Sequence, residues 1–307
     1  MSDNLSWAST RPKRFVFLGA SGRIGHLLRA VWPASIASDL RVDWQFRSAQ
    51  PTIPNAFVWS DLADIKPLLD HAKSADGLDG LFIFVGASRA GDKTDVDQMA
   101  INVSLVDQAL QAAVAAEIPR VLIASSSAVY GGGDGVPFDE SSALHPVNAY
   151  GMAKRDMEAL CVARAAEYGI EVCLLRIGNV AGADALLGPT EGWQSGDAPR
   201  LLDIYPDGDG PRRSYIGPES LADVLRCLAL LPQPLPQVIN VAAPVSVSMK
   251  ALLEAAAVDW EPRPVSASPL QDIVLDCERL ATLSDIKESD GAANGLVAQW
   301  RSALEAL

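Results

Sequence analysis

Tyr150 and Lys154 stand four positions apart in "NAYGMAKRD" (148–156), a stretch that otherwise has the pattern of a helix start. Residues i and i+4 share a helix face, so the phenol and the ammonium point into one space. A phenol with a pKa near 10 is a poor proton shuttle at neutral pH. Lowering it by about three units takes roughly 4 kcal/mol of selective stabilisation of the phenolate, and a desolvated lysine beside it is a source of that stabilisation. The same lysine can bond a cofactor ribose. The competing account of Tyr150 is a packing residue on an amphipathic helix.

Two upstream stretches strengthen the chemical account. "IASSSAVYG" (123–131) ends an apolar run with hydroxyls, at the strand end where open parallel sheets place ligands. A serine there can bond the substrate oxygen that gains or loses the proton; a strand-end turn is the plainer use of the same residues. "FVFLGASGRIGHLL" (15–28) has a strand, a turn with Gly19, Gly22 and Gly25, and a helix start. Glycine lets the backbone turn tightly and approach a pyrophosphate, whose charge sits at the helix N-terminus. The spacing G-x-x-G-x-x-G is one residue longer than the standard fingerprint. Ser21, Arg23 and Ile24 belong to the same expected cradle.

The end of the second strand selects the dinucleotide: an acid bonds ribose hydroxyls, a base suits a 2′-phosphate. "WQFRS" offers Arg47 and Ser48 and no carboxylate, which favours NADP over NAD. Asp43 serves instead if the strand register differs, and Arg47 is otherwise a solvated loop cation. In "WSDLAD", Asp61 after a short strand is a candidate acceptor for the adenine amino group, with Leu62 beside it, or else a cap for a short helix near 62–70. Val85, Gly86 and Ala87, at and after the end of "LFIFVG", and Ile177, at the end of "EVCLLRI", join the expected cofactor contacts at the carboxyl edge of the sheet.

These residues need a parallel sheet to bring them together. Apolar runs at 14–19, 42–46, 81–86, 120–126 and 171–177 alternate with helical patterns at 23–32, near 62–70, 95–117 and 149–168. That alternation predicts an α/β fold with a doubly wound parallel sheet of Rossmann type. Residues 1–178 are the expected dinucleotide-binding domain. From 179 to 307 the pattern loosens into a smaller C-terminal substrate lobe, although a helix at 219–231 and the run "QVINVAA" (237–243) point back to the sheet, so that 219–243 rejoins the first domain.

The chain has 307 residues, about half of them apolar, and a net charge of −13. Such a length supports a substantial core, and the charge opposes nucleic acid as a partner. Cys161, Cys173, Cys227 and Cys277 have no ligand spacing, nor do His26, His71 and His145, so no metal site is expected. The apolar run after "RPKR" is too short for a secretory signal, and no window is long enough to cross a bilayer. A cytoplasmic protein acting on a small molecule is expected.

The set "GASGRIG", "SSSAVYG", "YGMAK" and "RIGNVAG" resembles the extended short-chain dehydrogenase/reductases, in particular the NAD(P)-dependent epimerase/dehydratase branch that works on nucleotide sugars. The likeness runs from about residue 14 to 182 and thins beyond, where "YPDGDGPRRSYI" and "QVINVAA" still look like family stretches. By that resemblance Ser126 is the catalytic hydroxyl, Tyr150 the general acid/base, Lys154 its partner and Asn102 of "INVS" the helix asparagine near the cofactor. It likewise makes Asn179 and Arg213 contacts of a substrate nucleotide diphosphate, with Ser127 a further substrate contact.

Two departures narrow the expectation. Dehydratases of the branch carry Asp and Glu straight after the catalytic hydroxyl, whereas Ser127 and Ala128 stand here. An epimerase or a dehydrogenase/reductase therefore fits better than a dehydratase. The histidine- and aspartate-bearing segment before the late helix is replaced by "GPES" (217–220). The resemblance implies hydride transfer at a secondary alcohol or ketone carbon of a sugar or nucleotide sugar. Its alternatives are a non-nucleotide carbonyl compound as substrate, or a sensor that holds NADP without chemistry. It also implies a possible homodimer through a helix pair.

Overall fold

The computed structural model describes residues 11–35, 39–86, 95–133, 135–188 and 199–307. β1 (Lys13–Leu18) runs through the glycine turn into α1 (Arg23–Ser35). β2 (Leu40–Phe46), β3 (Ala56–Val58), α2 (Lys66–Ser74), β4 (Gly80–Ile83) and α3 (Asp95–Ala115) follow. β5 (Arg120–Ser126), α4 (Ala149–Tyr168) and β6 (Glu171–Ile177) end the alternating half. The predicted helix near 62–70 lies instead at 66–74, because Trp59 Nε1 and the Asp64 carboxylate hold residues 59–66 as a turn and Pro67 starts the helix.

The C-terminal half holds β7 (Asn179–Val180), β8 (Arg200–Ile204), β9 (Arg212–Ile216), α5 (Pro218–Leu230) and β10 (Val238–Val241). After them come β11 (Ser246–Ser248), α6 (Met249–Ala256), β12 (Trp260–Pro264) and β13 (Asp272–Ile273). α7 (Glu278–Ala281), α8 (Glu288–Gly291) and α9 (Ala293–Glu305) complete it.

The main sheet is parallel throughout, in the order β10-β6-β5-β4-β1-β2-β3. Strand order reverses between β1 and β4, and a crevice opens there at the carboxyl ends. β10, from the segment predicted to rejoin the sheet, pairs with β6 at its rim. Side chains alternate across the sheet, so each strand feeds two cores. Phe15 and Phe17 enter the one built with α1 and α5, while Val16 and Leu18 enter the one built with α2, α3 and α4. Full burial of each such side chain stabilises by about 1.5–3 kcal/mol.

A smaller core, with Leu252, Leu253, Leu296 and the Tyr215 ring, sits under β9 and α6. The "GPES" segment is the start of α5: Gly217 is its N-cap, and the Gln299 amide of α9 fills the space beside it. Gln299 accepts the Ser220 N–H at 3.0 Å and donates to the Ser220 hydroxyl at 2.9 Å.

Candidate active site

A cavity of about 550 Å³ runs along the carboxyl ends of β1, β4, β5 and β6. Gly19, Gly22, Arg23, Ile24 and Gly25 line one end of it. Gly19 has φ +96°, and a Cβ there would meet the Phe84 carbonyl oxygen at 2.6 Å, so the first turn position admits only glycine. A Cβ on Gly25 would meet the Gly19 carbonyl oxygen at 2.4 Å, which is how closely α1 packs on the turn. Gln45 of β2 fixes the turn: its amide donates to the Trp59 carbonyl at 2.7 Å and accepts the Gly19 N–H at 3.2 Å.

Tyr150 and Ser126 both line the cavity, with Ser126 near enough to the phenol to oppose the rise of its pKa. Three local features bring them there. Asn148 caps α4, its carboxamide oxygen accepting the Gly151 N–H at 2.8 Å. Ser126 ends β5, and its hydroxyl accepts the Ala128 N–H at 3.2 Å, closing the 127–129 turn. Gly151 lets α4 press on that turn: a Cβ would meet the Ala128 carbonyl oxygen at 2.4 Å.

Lys154 lies one turn along α4, 8 % exposed, with its ammonium donating to the Ala124 carbonyl at 2.7 Å. Burial lowers its pKa to about 8, against the opposing pull of Cys161 and Glu158. Contrary to the expectation from their spacing, Lys154 does not depress the Tyr150 pKa. Although Tyr150 as a whole is 42 % exposed, its hydroxyl end is desolvated, and that raises its pKa against the smaller lowering by Ser126. Lys154 is occupied with the β5 carbonyl. At neutral pH the site therefore holds a neutral phenol and a charged lysine on one face of α4, a state suited to donating a proton to a carbonyl oxygen.

Of the other expected residues, Val85, Gly86, Asn102, Ile177 and Asn179 line the same cavity. Asn102 is buried on α3 with its amide close to Gly86. Ala87 lies outside the described residues. Ser21, Arg47, Ser48, Asp61, Leu62, Ser127 and Arg213 are not among the cavity walls. Ser21 is exposed at the glycine turn, and Arg47 and Ser48 are exposed just past the tip of β2. Asp61 accepts the Ala63 N–H at 3.0 Å in a local turn, and Leu62 packs in the core under α2. Ser127 belongs to the short helical turn after β5.

Asp43 and Arg213 both lie off the cavity walls. Asp43 is withdrawn from the cofactor end: it sits inside β2, 1 % exposed, bonded to Arg14 at 2.5 Å and His71 at 2.8 Å. Burial opposes its ionisation, but these partners outweigh it and hold its pKa below the usual range. Arg213 spends its guanidinium on the backbone carbonyls of Arg212, Leu270 and Gln271, each at 2.7 Å.

Sequence patterns passed over several residues of this region. Asn148 lines the cavity and carries a recognisable signal, an Asn just before a helix. Asp184 also lines it, accepts the Tyr215 hydroxyl at 2.6 Å and has a raised pKa through burial. Neither Gln45 nor the Asp184–Tyr215 pair has a local sequence signature, because each partner is distant in the chain.

A seven-stranded parallel sheet with a glycine turn at its strand-order reversal defines a Rossmann-type dinucleotide-binding fold. The chain belongs to the NAD dependent epimerase/dehydratase family, whose model matches residues 15–203. It is similar to a UDP-glucose 4-epimerase of Azospirillum brasilense, 30 % identical over 176 residues, which are 56 % of this chain and 50 % of that one. The chain spans about half the length of the curated relatives it matches first. Among solved structures, a UDP-glucose-4-epimerase of Stenotrophomonas maltophila with bound NAD and formylated UDP-arabinopyranose superposes with a TM-score of 0.74 at 20 % identity, covering 97 % of this chain and 100 % of that one. The UDP-glucuronic acid 4-epimerase of Bacillus cereus in complex with NAD gives 0.70 at 18 % identity, covering 95 % and 99 %. At these identities the superpositions establish the fold.

Proposed function

We propose that the protein is an NADP-dependent epimerase or dehydrogenase/reductase acting at a secondary alcohol or ketone carbon of a sugar or nucleotide sugar. The observation that carries this is the meeting of Ser126, Tyr150 and Lys154 in the cavity that begins at the glycine turn. The glycine turn and α1 suit a pyrophosphate, with Gly19, Gly22, Arg23, Ile24 and Gly25 to hold it and Val85, Gly86, Asn102 and Ile177 along its path. When bound, the nicotinamide supplies and accepts the hydride. Ser126 and Tyr150 orient the substrate oxygen between their hydroxyls, and Tyr150 gives or takes its proton. Lys154 places positive charge beneath them. A ketone that rotates in the cavity before reduction yields an epimer, and one that leaves yields a dehydrogenase product.

The choice of NADP rests on Arg47 and Ser48 at the exposed end of β2, and on Asp43 being committed to Arg14 and His71. The absence of Asp and Glu after Ser126 disfavours elimination. We read the assembly as a homodimer through α3 and α4, which expose Ile101, Val114 and Val162. A cytoplasmic location is supported by four free cysteines.

One observation favours a second substrate class. Among the described residues the cavity walls hold two cations, Arg23 and Lys154, while Arg213 is bound to carbonyls outside them. A non-nucleotide carbonyl compound would need no third cation. A thermal-shift panel crossing NAD and NADP with UDP-sugars, free sugars and simple ketones separates the readings. Stabilisation by UDP-sugars on top of NADP supports the first, stabilisation by uncharged carbonyls alone the second, and a larger shift with NAD than NADP overturns the cofactor choice.

A further inference from the structure

One buried ion pair next to the cavity has no part in the chemistry above. Glu158 and Arg176 are 4 % and 5 % exposed, and Arg176 clasps the carboxylate through Nε and Nη2, at best 2.8 Å. Glu158 also accepts the hydroxyl of Ser125 at 2.5 Å, and Ser125 is the cavity wall residue just before Ser126. From Arg176 the chain of bonds continues to the Tyr130 hydroxyl at 3.0 Å, then to Asn240 of β10 at 2.7 Å. Asn240 closes it on the carbonyls of Phe138 and Asp276. An apolar pair of similar volume is often as stable as a buried ion pair, so stability alone does not account for these charges.

Tyr150, Lys154 and Glu158 recur every four residues along one face of α4. We infer that Glu158 is a positioning residue: its carboxylate, anchored by Arg176, ties the end of β5 to α4 through Ser125 and holds the Lys154 ammonium in its place in the cavity wall. The inference rests on Lys154 being a cofactor contact, as proposed above. Few groups face Lys154. From α4 they are Met157, whose sulfur accepts the ammonium at 3.8 Å, with Glu158 and Cys161, and from β5 the Ala124 carbonyl; Ser125, Ser126 and, on α3, Asn102 line the same cavity. The Cys161 thiol, pushed up to about 12 by burial, is neutral at physiological pH, so Glu158 is the anion that sustains the lysine charge. Asp107 near Cys161 is engaged by Arg164 at 2.7 Å.

The test is NADPH binding, followed by nucleotide fluorescence between about pH 6 and about pH 10. In the native protein affinity falls through a step with its midpoint near the Lys154 value of about 8. Lys154→Met removes the step. Glu158→Gln moves the midpoint down by about one unit, and Glu158→Asp, which keeps the charge, restores most of it. Should Glu158→Gln fail to fold, Glu158→Gln combined with Arg176→Leu removes the guanidinium that would otherwise lose its buried partner, and still shifts the midpoint down. A midpoint unmoved, within about 0.3 unit, in whichever of these folds overturns the inference. A step that survives Lys154→Met overturns instead the assignment of Lys154 as a cofactor contact.

Discussion

Gly151 lies so close to Ala128 that a single added carbon would stand 2.4 Å from the alanine carbonyl oxygen. This contact sets how near the helix bearing Tyr150 comes to the strand bearing Ser126. Gly151→Ala is expected to destabilise by about 1–3 kcal/mol, because overpacking outweighs the gain in helix propensity. Turnover should fall by about tenfold to a hundredfold through the displaced phenol. Denaturant melts together with initial rates check both, and a variant as active and as stable as the native protein would show that the contact sets nothing.

Replacing Tyr150 by Phe removes the proposed proton carrier and leaves the glycine turn untouched. NADPH affinity should stay within about twofold while turnover drops by at least about a hundredfold. Comparable rates in the two proteins would refute the role of Tyr150.

The buried Lys154 makes a signed prediction about stability. Its pKa falls from 10.5 to about 8 on folding, so between those values the unfolded chain binds more protons and stability rises with pH. Charged Lys154 therefore costs on the order of 3 kcal/mol near neutral pH, a cost relieved above its unfolded pKa. Lys154→Met should be more stable than the native protein at pH 7, with the gap narrowing toward pH 10. A gap that is constant across paired thermal melts would contradict this.

Arg47 should matter for one nucleotide and not the other. On the proposed NADP reading, Arg47→Ala is expected to weaken NADP by about tenfold and to leave NAD nearly unchanged, since NAD has no 2′-phosphate for the guanidinium to bond. Titration calorimetry with both nucleotides decides it; equal losses for the two would place Arg47 outside the phosphate site.

Much of this architecture was legible because parallel strands buried on both faces are written as unbroken apolar runs. The runs at 120–126 and 171–177 coincide with β5 and β6, and the helix at 149–168 with α4, whose ends are set by Asn148 and Gly169. Shorter elements follow different rules. α2 lies four residues past its expected start, since its boundary depends on Asp64 and on a tryptophan bonding to the turn.

The glycine turn, Ser126, Tyr150 and Lys154 converge as their spacing suggested, but two electrostatic details did not follow from spacing. Lys154 turns to the Ala124 carbonyl instead of lowering the phenol, and Arg213 turns to the carbonyls of a neighbouring loop. Both choices are made by backbone oxygens, which leave no mark on residue type. The pairs Glu158–Arg176 and Asp184–Tyr215 join residues 18 and 31 positions apart and emerge only when the chain is folded.

The rim strand β10 gives the molecule a property of its own. It comes from beyond residue 237 yet completes the hydrogen bonding of β6, while Arg120 at the foot of β5 grips the carbonyls of Leu228, Ala229 and Leu231. Severing the polypeptide near residue 178 would strip that flank and leave a bare, sticky row of amides. A fragment ending there is therefore expected to clump unless the missing flank is supplied in trans.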